Sequence, residues 1–460
     1  MSPNAPLVSD APAAVTGTRS PQKLRNLELF LLLVACFINA AAVLLVQLGA
    51  LGEIDTTLVF LGVALSVLVI ALHVVLRFAA RDADPFILPI ATLLNGLGIA
   101  MIYRIDIANQ ESGWASAAVR QTAWSGLAIA GAITVLLVIQ NHRVLFRYTY
   151  IAGFVGVFLL LLPLVPGLGR EISGARVWIS VGSFATFQPG EIAKIALAIF
   201  FAGYLVRNRD TLAMVGKRFL GMRFPRLRDL GPILVVWALS MSVIIFQRDL
   251  GTALLYFGLF LVMLYLATAR ISWVIMGVGL FLGGAVLASQ TLAYVNGRFT
   301  NWLDALNPAV YEAPGGSFQL VQGLFGLAKG GLLGTGLGQG RPEITPVPQS
   351  DYIIASLGEE LGLAGIFAIL ALYLLLVARG FRIGFAGQDD FGKLLAVGLS
   401  FVIALQCFIV IGGVTRVIPL TGLTTPFLAA GGSSLVANWI IVALLLRLSD
   451  TVRNQPRLVV

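Results

Sequence analysis

The sequence predicts an all-α, polytopic membrane protein of about 12 transmembrane helices, with a long outer loop between spans nine and ten. Three observations carry that expectation. Of 460 residues, 58 % are hydrophobic and only 12 % are charged, and the mean hydropathy is +0.92. Apolar runs repeatedly exceed the length a helix needs to cross a bilayer. Lys and Arg collect in alternate connections between those runs, as they do when orientation in a membrane is being set. In hydrocarbon the backbone must satisfy its own hydrogen bonds, so apolar runs of this length are read as helices.

Taken in order, residues 1–24 are polar and rich in Pro, Ala and Ser, which predicts a disordered cytoplasmic tail. The apolar run behind them is too long for a cleaved signal peptide. Spans are then expected at about 28–50, 55–77, 85–103, 121–139, 147–168, 191–206, 231–247, 250–268, 271–292, 352–378, 393–414 and 426–447. Residues 451–460 read as a second cytoplasmic tail. With the N-terminus inside, 21 Lys and Arg fall on inner segments and nine on outer ones, Lys194 lying at a span mouth. Both termini are therefore expected in the cytoplasm. Three outer segments stand out: 169–190, 293–351 and 415–426. Within the second, FQLVQGLFGLAKGGLLGTGL (318–337) is too weakly apolar for a further span and suits a re-entrant or interfacial segment.

Composition also excludes. Two cysteines, Cys36 and Cys407, lie inside apolar runs without ligand spacing, and two histidines cannot build a histidine-rich metal site. The pI near 9.8 reflects short basic loops between spans and points to no nucleic acid. No Walker loop, HExxH, GxSxG or Ser-His-Asp set is present.

The chemistry-bearing residues lie toward the outer ends. In FQPGEIAKIALAIFFAGYL (187–205), Glu191 and Lys194 are three apart and share a helix face. A helix start with a snorkelling lysine explains part of this, but Lys194 already stands inside the apolar run, where an ionisable group needs protein or water beside it. Asp304 and Glu312 sit among aromatics and glycines in the long outer loop. SDYIIASLGEELGLAG (350–365) carries Asp351 and then Glu359 and Glu360 into a span, where adjacent acids need Arg or backbone amides as partners. Small residues through PLTGLTTPFLAAGGSSLVANW (419–439) suggest close packing or a broken helix.

Seven stretches, in order, resemble the SEDS family of RodA and FtsW proteins. They are GARVWI (174–179), FQPGEIAK (187–194), WLD (302–304), FQLVQ (318–322), GTGLGQG (334–340), SDYIIASLGEELGLAG (350–365) and PLTGLTTPF…GGSS (419–434). The resemblance divides the chain into two additional N-terminal spans (25–84) and a SEDS-like core (85–450). Those extra spans and GGVTRVIPLTGLTTPF look most like the RodA-type members of actinobacteria.

The resemblance implies a peptidoglycan glycosyltransferase that polymerises lipid II at the outer face of the bacterial cytoplasmic membrane, for elongation or division. An acceptor 4-hydroxyl attacks an anomeric carbon and expels undecaprenyl diphosphate, which calls for a base and for cations. By resemblance the catalytic candidates are Asp304 and Glu312. Arg176, Trp178, Glu191, Lys194, Gln319, Gln322 and Asp351 are the substrate-binding candidates. The family's Asp-Pro before Gly-x-Gly-Tyr-Gln is absent: in WLDALNPAVYEAPGGSFQ, Asn307 or Glu312 falls at that position. No obligatory cofactor is implied, and there is room for a divalent cation, Mg or Mn. The implied partners are a class B penicillin-binding protein and other elongation or division membrane proteins. Alternative expectations are a lipid II flippase, and a non-catalytic scaffold of the elongation machinery.

Overall fold

Helices follow the apolar runs, as hydrocarbon demands. The computed structural model describes residues 21–172, 174–181, 185–213, 218–219, 222–223 and 231–454. Its helices are α1 (Pro21–Ala50), α2 (Thr56–Ala79), α3 (Ile87–Ala108), α4 (Ala117–Val138), α5 (Arg143–Arg147), α6 (Thr149–Leu161), α7 (Pro189–Arg207), α8 (Arg209–Ala213) and α9 (Gly231–Ser242). They continue with α10 (Leu250–Thr268), α11 (Ile271–Thr291), α12 (Ala293–Leu303), α13 (Pro308–Tyr311), α14 (Phe318–Gly330), α15 (Ile353–Ala386), α16 (Asp390–Val414) and α17 (Gly432–Asn454). Among the described residues, ten helices are long and apolar enough to cross a membrane. The expected fifth and seventh spans are represented by shorter apolar helices, 149–164 and 231–247. The fifth tightens into a 3-10 turn at Leu162–Leu164, around Pro163. The seventh ends in a π turn at Val243–Gln247, where Gln247 donates to Leu160 O.

Other boundaries move for local reasons. α1 starts at Pro21, inside the expected tail, because proline suits a first helical turn. The rest of that tail, 1–20, lies outside the described residues, as do 455–460 and most of the basic loop 207–230. α17 starts at Gly432 rather than near 426, since Pro426 and the left-handed Phe427 (φ 65°) interrupt any helix before it. The Gln121 side chain then serves that irregular stretch, donating to Ala429 O and accepting from Gly431 N.

α3, α10, α16 and α17 are buried along most of their length, whereas α1, α2 and α11 bury only a narrow stripe. α1 and α2 lean on α3 and α4 respectively. The expected outer loop 169–190 is partly a sheet: β1 (Gly169–Ile172), β2 (Ala175–Val181) and β3 (Ala185–Phe187) pair antiparallel in that order.

α15 is broken at Gly362, whose φ of 69° and ψ of −174° only glycine adopts readily. The break frees backbone that the glycine-rich segment after α14 then pairs with: Thr335 N and Gly336 N donate to Glu359 O and Glu360 O, while Leu363 N and Ala364 N donate to Gly331 O and Leu332 O. Glu360 accepts from Gly338 N, Gly340 N and Arg104, and Glu359 from Lys329 and Arg341 N. The two acids thus hold Arg and amides, as adjacent acids in a span require.

Candidate active site

Segments 169–190, 293–351 and 415–431 meet at one end of the helix bundle. Gln188 N donates to Ser433 Oγ at 2.9 Å, and Ala430 N donates to Gln349 O at 2.8 Å. Arg248 reaches Glu171 at 3.9 Å, joining the sheet to the start of α10.

The floor of this end is the Glu191–Lys194 pair. Pro189 starts α7, which puts Glu191 in its first turn, where the helix dipole favours an acid, and Lys194 one turn deeper. Lys194 Nζ donates to Glu191 Oε2 at 2.6 Å, to Gln406 Oε1 at 3.0 Å and to Asn438 Oδ1 at 3.3 Å. Those bonds occupy all three ammonium hydrogens, and the lysine is only 1 % exposed. Instead of opening into a wide outer cavity, it ties α7, α16 and α17 together. Gln406 in turn donates to Thr424 O at 2.8 Å, which fixes the irregular stretch before α17.

Another cluster forms around Arg298, Asp249 and Asp351. Asp249 caps α10, accepting from Thr252 N at 2.9 Å and from the Thr252 hydroxyl. Burial pushes its carboxyl above the ordinary 3.8, and the nearby Arg298 charge opposes that rise. Asp351, half-buried just before α15, is pushed up to about 6 by burial, again against Arg298. Arg298 donates to Leu420 O at 2.7 Å. A Cβ placed on Gly422 would lie 3.8 Å from Asp351 Oδ2 and 3.9 Å from Arg298 Nη2, so acid and base converge on this stretch of backbone.

Helices α12, α13 and α14 make a cap over this end. Asn301 donates to Gly315 O at 2.9 Å, Ser317 Oγ to Ala305 O at 2.6 Å and Gln322 to the Tyr311 hydroxyl at 2.8 Å. Gln319 donates to Pro346 O at 2.7 Å. Asp304 is the C-cap of α12 and Glu312 that of α13. Both are exposed, and neither side chain makes a hydrogen bond or ion pair among the described residues. Nothing bonds them to the Lys194 floor. Arg176, on β2, is exposed and donates to Glu171 at 3.2 Å, while Trp178 is half-buried opposite Arg170.

The structure therefore brings Glu191 and Lys194 together and places Asp351 in the Arg298 cluster, whose Asp249 lies within reach of the Glu191 charge. Asp249, Arg298, Gln406 and Asn438 were missed by sequence reasoning. An isolated amide within an apolar run was the available signal for the last two; Asp-x-x-Thr at a span mouth was the signal for Asp249. Among the described residues no three His, Cys, Asp or Glu converge to hold a metal, so Mg or Mn would need oxygens from a substrate to complete its shell.

Residues 85–454 match the cell cycle protein family of FtsW, RodA and SpoVE. The peptidoglycan glycosyltransferase RodA of Mycobacterium tuberculosis is 44 % identical over 450 residues, covering 97 % of this chain and 94 % of that one. Stage V sporulation protein E of Bacillus subtilis is 35 % identical over 374 residues, 80 % and 96 % of the two chains. A chain from a peptidoglycan synthase complex superposes with a TM-score of 0.63 at 25 % identity, covering 81 % of this chain and 99 % of that one. RodA of Thermus thermophilus gives 0.56 at 25 % identity, over 81 % and 98 %. The chain belongs to the FtsW, RodA and SpoVE family.

Proposed function

We propose that the chain is a peptidoglycan glycosyltransferase that polymerises lipid II at the outer face of the cytoplasmic membrane. The observation that carries this is one end of the bundle where the outer cap, with two free carboxylates, adjoins the Arg298 cluster of half-buried Asp351 and buried Asp249. A cap carboxylate, Asp304 first and Glu312 second, takes the proton of the acceptor 4-hydroxyl as the undecaprenyl diphosphate leaves. Arg298 and the rim arginines Arg176 and Arg248 meet the diphosphate's charge. Lys194, bonded three ways, sets the floor and holds Glu191 in place.

A flippase would need charge-bearing groups along the membrane's thickness. Here two polar contacts inside the spans join neutral groups, Asn95 donating to Ser125 Oγ at 3.1 Å and Asn39 to Thr92 O at 2.9 Å, and the charged Glu360 of α15 is held by Arg104. A class B penicillin-binding protein fits as partner, since a similar chain stands in a peptidoglycan synthase complex.

Both termini are placed in the cytoplasm and the loop-rich end outside, on the Lys and Arg asymmetry. Cysteines introduced at Asn208 and Ala313 should respond oppositely to an impermeant thiol reagent. Polymerisation of labelled lipid II by the purified chain, with and without a class B partner, tests the activity itself. No glycan product in either case would sink the reading.

A further inference from the structure

Among the described residues the outer cap is joined to the loop after α16 by four side-chain hydrogen bonds, and three of them involve Arg416. Trp302 Nε1 donates to Arg416 O at 3.0 Å. Arg416 answers with its own fork: Nε donates to Trp302 O at 2.7 Å and Nη2 to Leu303 O at 2.6 Å. The fourth bond is that from Arg298 to Leu420 O. Leu303 is the last residue of α12, so the guanidinium binds carbonyls that the helix leaves open, and its charge complements the negative end of the dipole. Asp304 is the very next residue.

The backbone at Arg416 makes the choice of residue informative. Its φ is +61°, in the left-handed region where a residue with a Cβ is strained and glycine is not. Local backbone preference would select glycine there. The arginine that occupies it instead uses two donors of its rigid fork on the end of the cap helix, a geometry that Lys cannot copy. Strain kept at one position while its side chain reaches a candidate site is the pattern in which positioning is expected.

We propose that Arg416 is a positioning residue for glycosyl transfer: its fork fixes the end of α12 and thereby the direction in which the Asp304 carboxylate is presented. This rests on the reading of Asp304 as the base. Because α12 also carries Arg298, one clamp sets the base and the cation of the same helix.

The test uses the full-length chain in lipid vesicles with labelled lipid II. Arg416→Gly removes the fork while suiting the backbone, so folding is preserved. It should lower kcat by about 10²-fold, the scale of an ångström-level misplacement, with little change in KM and an unchanged thermal midpoint. Arg416→Lys should stay well below wild type, because one ammonium cannot reproduce the fork. Trp302→Phe, which deletes a single donor, should give a smaller loss in the same direction. In the double variant Arg416→Gly/Asp304→Asn, turnover should be no lower than in Asp304→Asn alone. Wild-type kcat in Arg416→Gly, a loss matched by a fall in thermal midpoint, or additive losses in the double variant would each overturn the proposal. If Asp304→Asn itself turns over normally, the base assignment has failed instead, and the two failures are told apart.

Discussion

Buried charge sits at both ends of this bundle, and the two ends treat it differently. At the end opposite the cap, Glu28 is held by Arg25 at 2.7 Å and by His73 at 2.6 Å, and His73 accepts from Arg77 at 3.0 Å. Asp84 is held by Arg453 at 2.7 Å and Arg379 at 3.5 Å, and accepts from Phe86 N. Arg447 donates to Ala79 O and Leu136 O. The carboxylates Glu28 and Asp84 and the His73 ring are closed by protein here, and the unbonded atoms are donors, Arg25 Nε and Arg447 Nε. At the loop-rich end the closure stops partway: Lys194 is saturated, Asp351 is half-open, and Asp304 and Glu312 are unpaired. Buried charge alone is thus a poor guide to a site. Unused carboxylate capacity beside buried charge is a better one.

The largest effect expected from breaking that contrast is at its hinge, Lys194. Lys194→Met strands the buried Glu191, which should cost about 3–5 kcal/mol of stability and abolish polymerisation. Unfolding in detergent reads the first, and Glu191→Gln/Lys194→Met should recover part of it. A single variant as stable as wild type would mean the pair contributes nothing to the floor.

Next come the open carboxylates. Asp304→Asn should cut lipid II polymerisation by about 10²–10⁴-fold, the usual worth of a general base, with Glu312→Gln milder and the thermal midpoint unchanged in both. If both variants keep wild-type rates, the base lies elsewhere and Asp351 becomes the candidate.

A closed group should behave otherwise. Glu28→Gln should lower stability by about 1–3 kcal/mol, the scale of a weakened buried hydrogen-bond set, while turnover per folded molecule stays at the wild-type level. A loss of turnover with stability intact would erase the distinction between the two ends.

The smallest effect is a pH dependence from Asp351. With its carboxyl at about 6 instead of 3.8, the folded chain holds a proton that the unfolded chain has released between those values. Stability contributed there falls as pH rises from about 4 to about 6 and is flat above. Activity should rise over the same limb as the Asp351 carboxylate forms, and Asp351→Asn should flatten both profiles. An unchanged limb in that variant assigns it to another group.

Much of the fold was legible because hydrocarbon leaves the backbone few choices: span eight, 250–268, coincides with α10, and span nine differs from α11 by one residue. The misses fall where side chains or turns override the apolar pattern, as at Pro163 and Pro426, and where the loop 169–190 paired with itself into β1–β3. For the site, the Glu191–Lys194 spacing was readable because i,i+3 is local geometry. Gln406, Asn438 and Arg298 were not, since their meaning comes from partners 212, 244 and 122 residues away.

The seat of α1 has a consequence for how the chain is made. Gln339 donates to Gly49 O at 2.9 Å, and Gly49 packs so closely on Leu337 and Gly338 that a Cβ on Gly49 would fall 2.4 Å from Leu337 O. Helix α1 is the first described helix to leave the ribosome, yet this contact waits for residues synthesised 290 positions later. At about 5–20 residues per second, α1 stands in the bilayer for roughly 15–60 s before its seat exists. During that interval its exposed Gly49–Ala50 end is open to chaperones and membrane proteases. Its docking waits for the segment after α14, and a chain stalled before residue 340 would display that end unprotected.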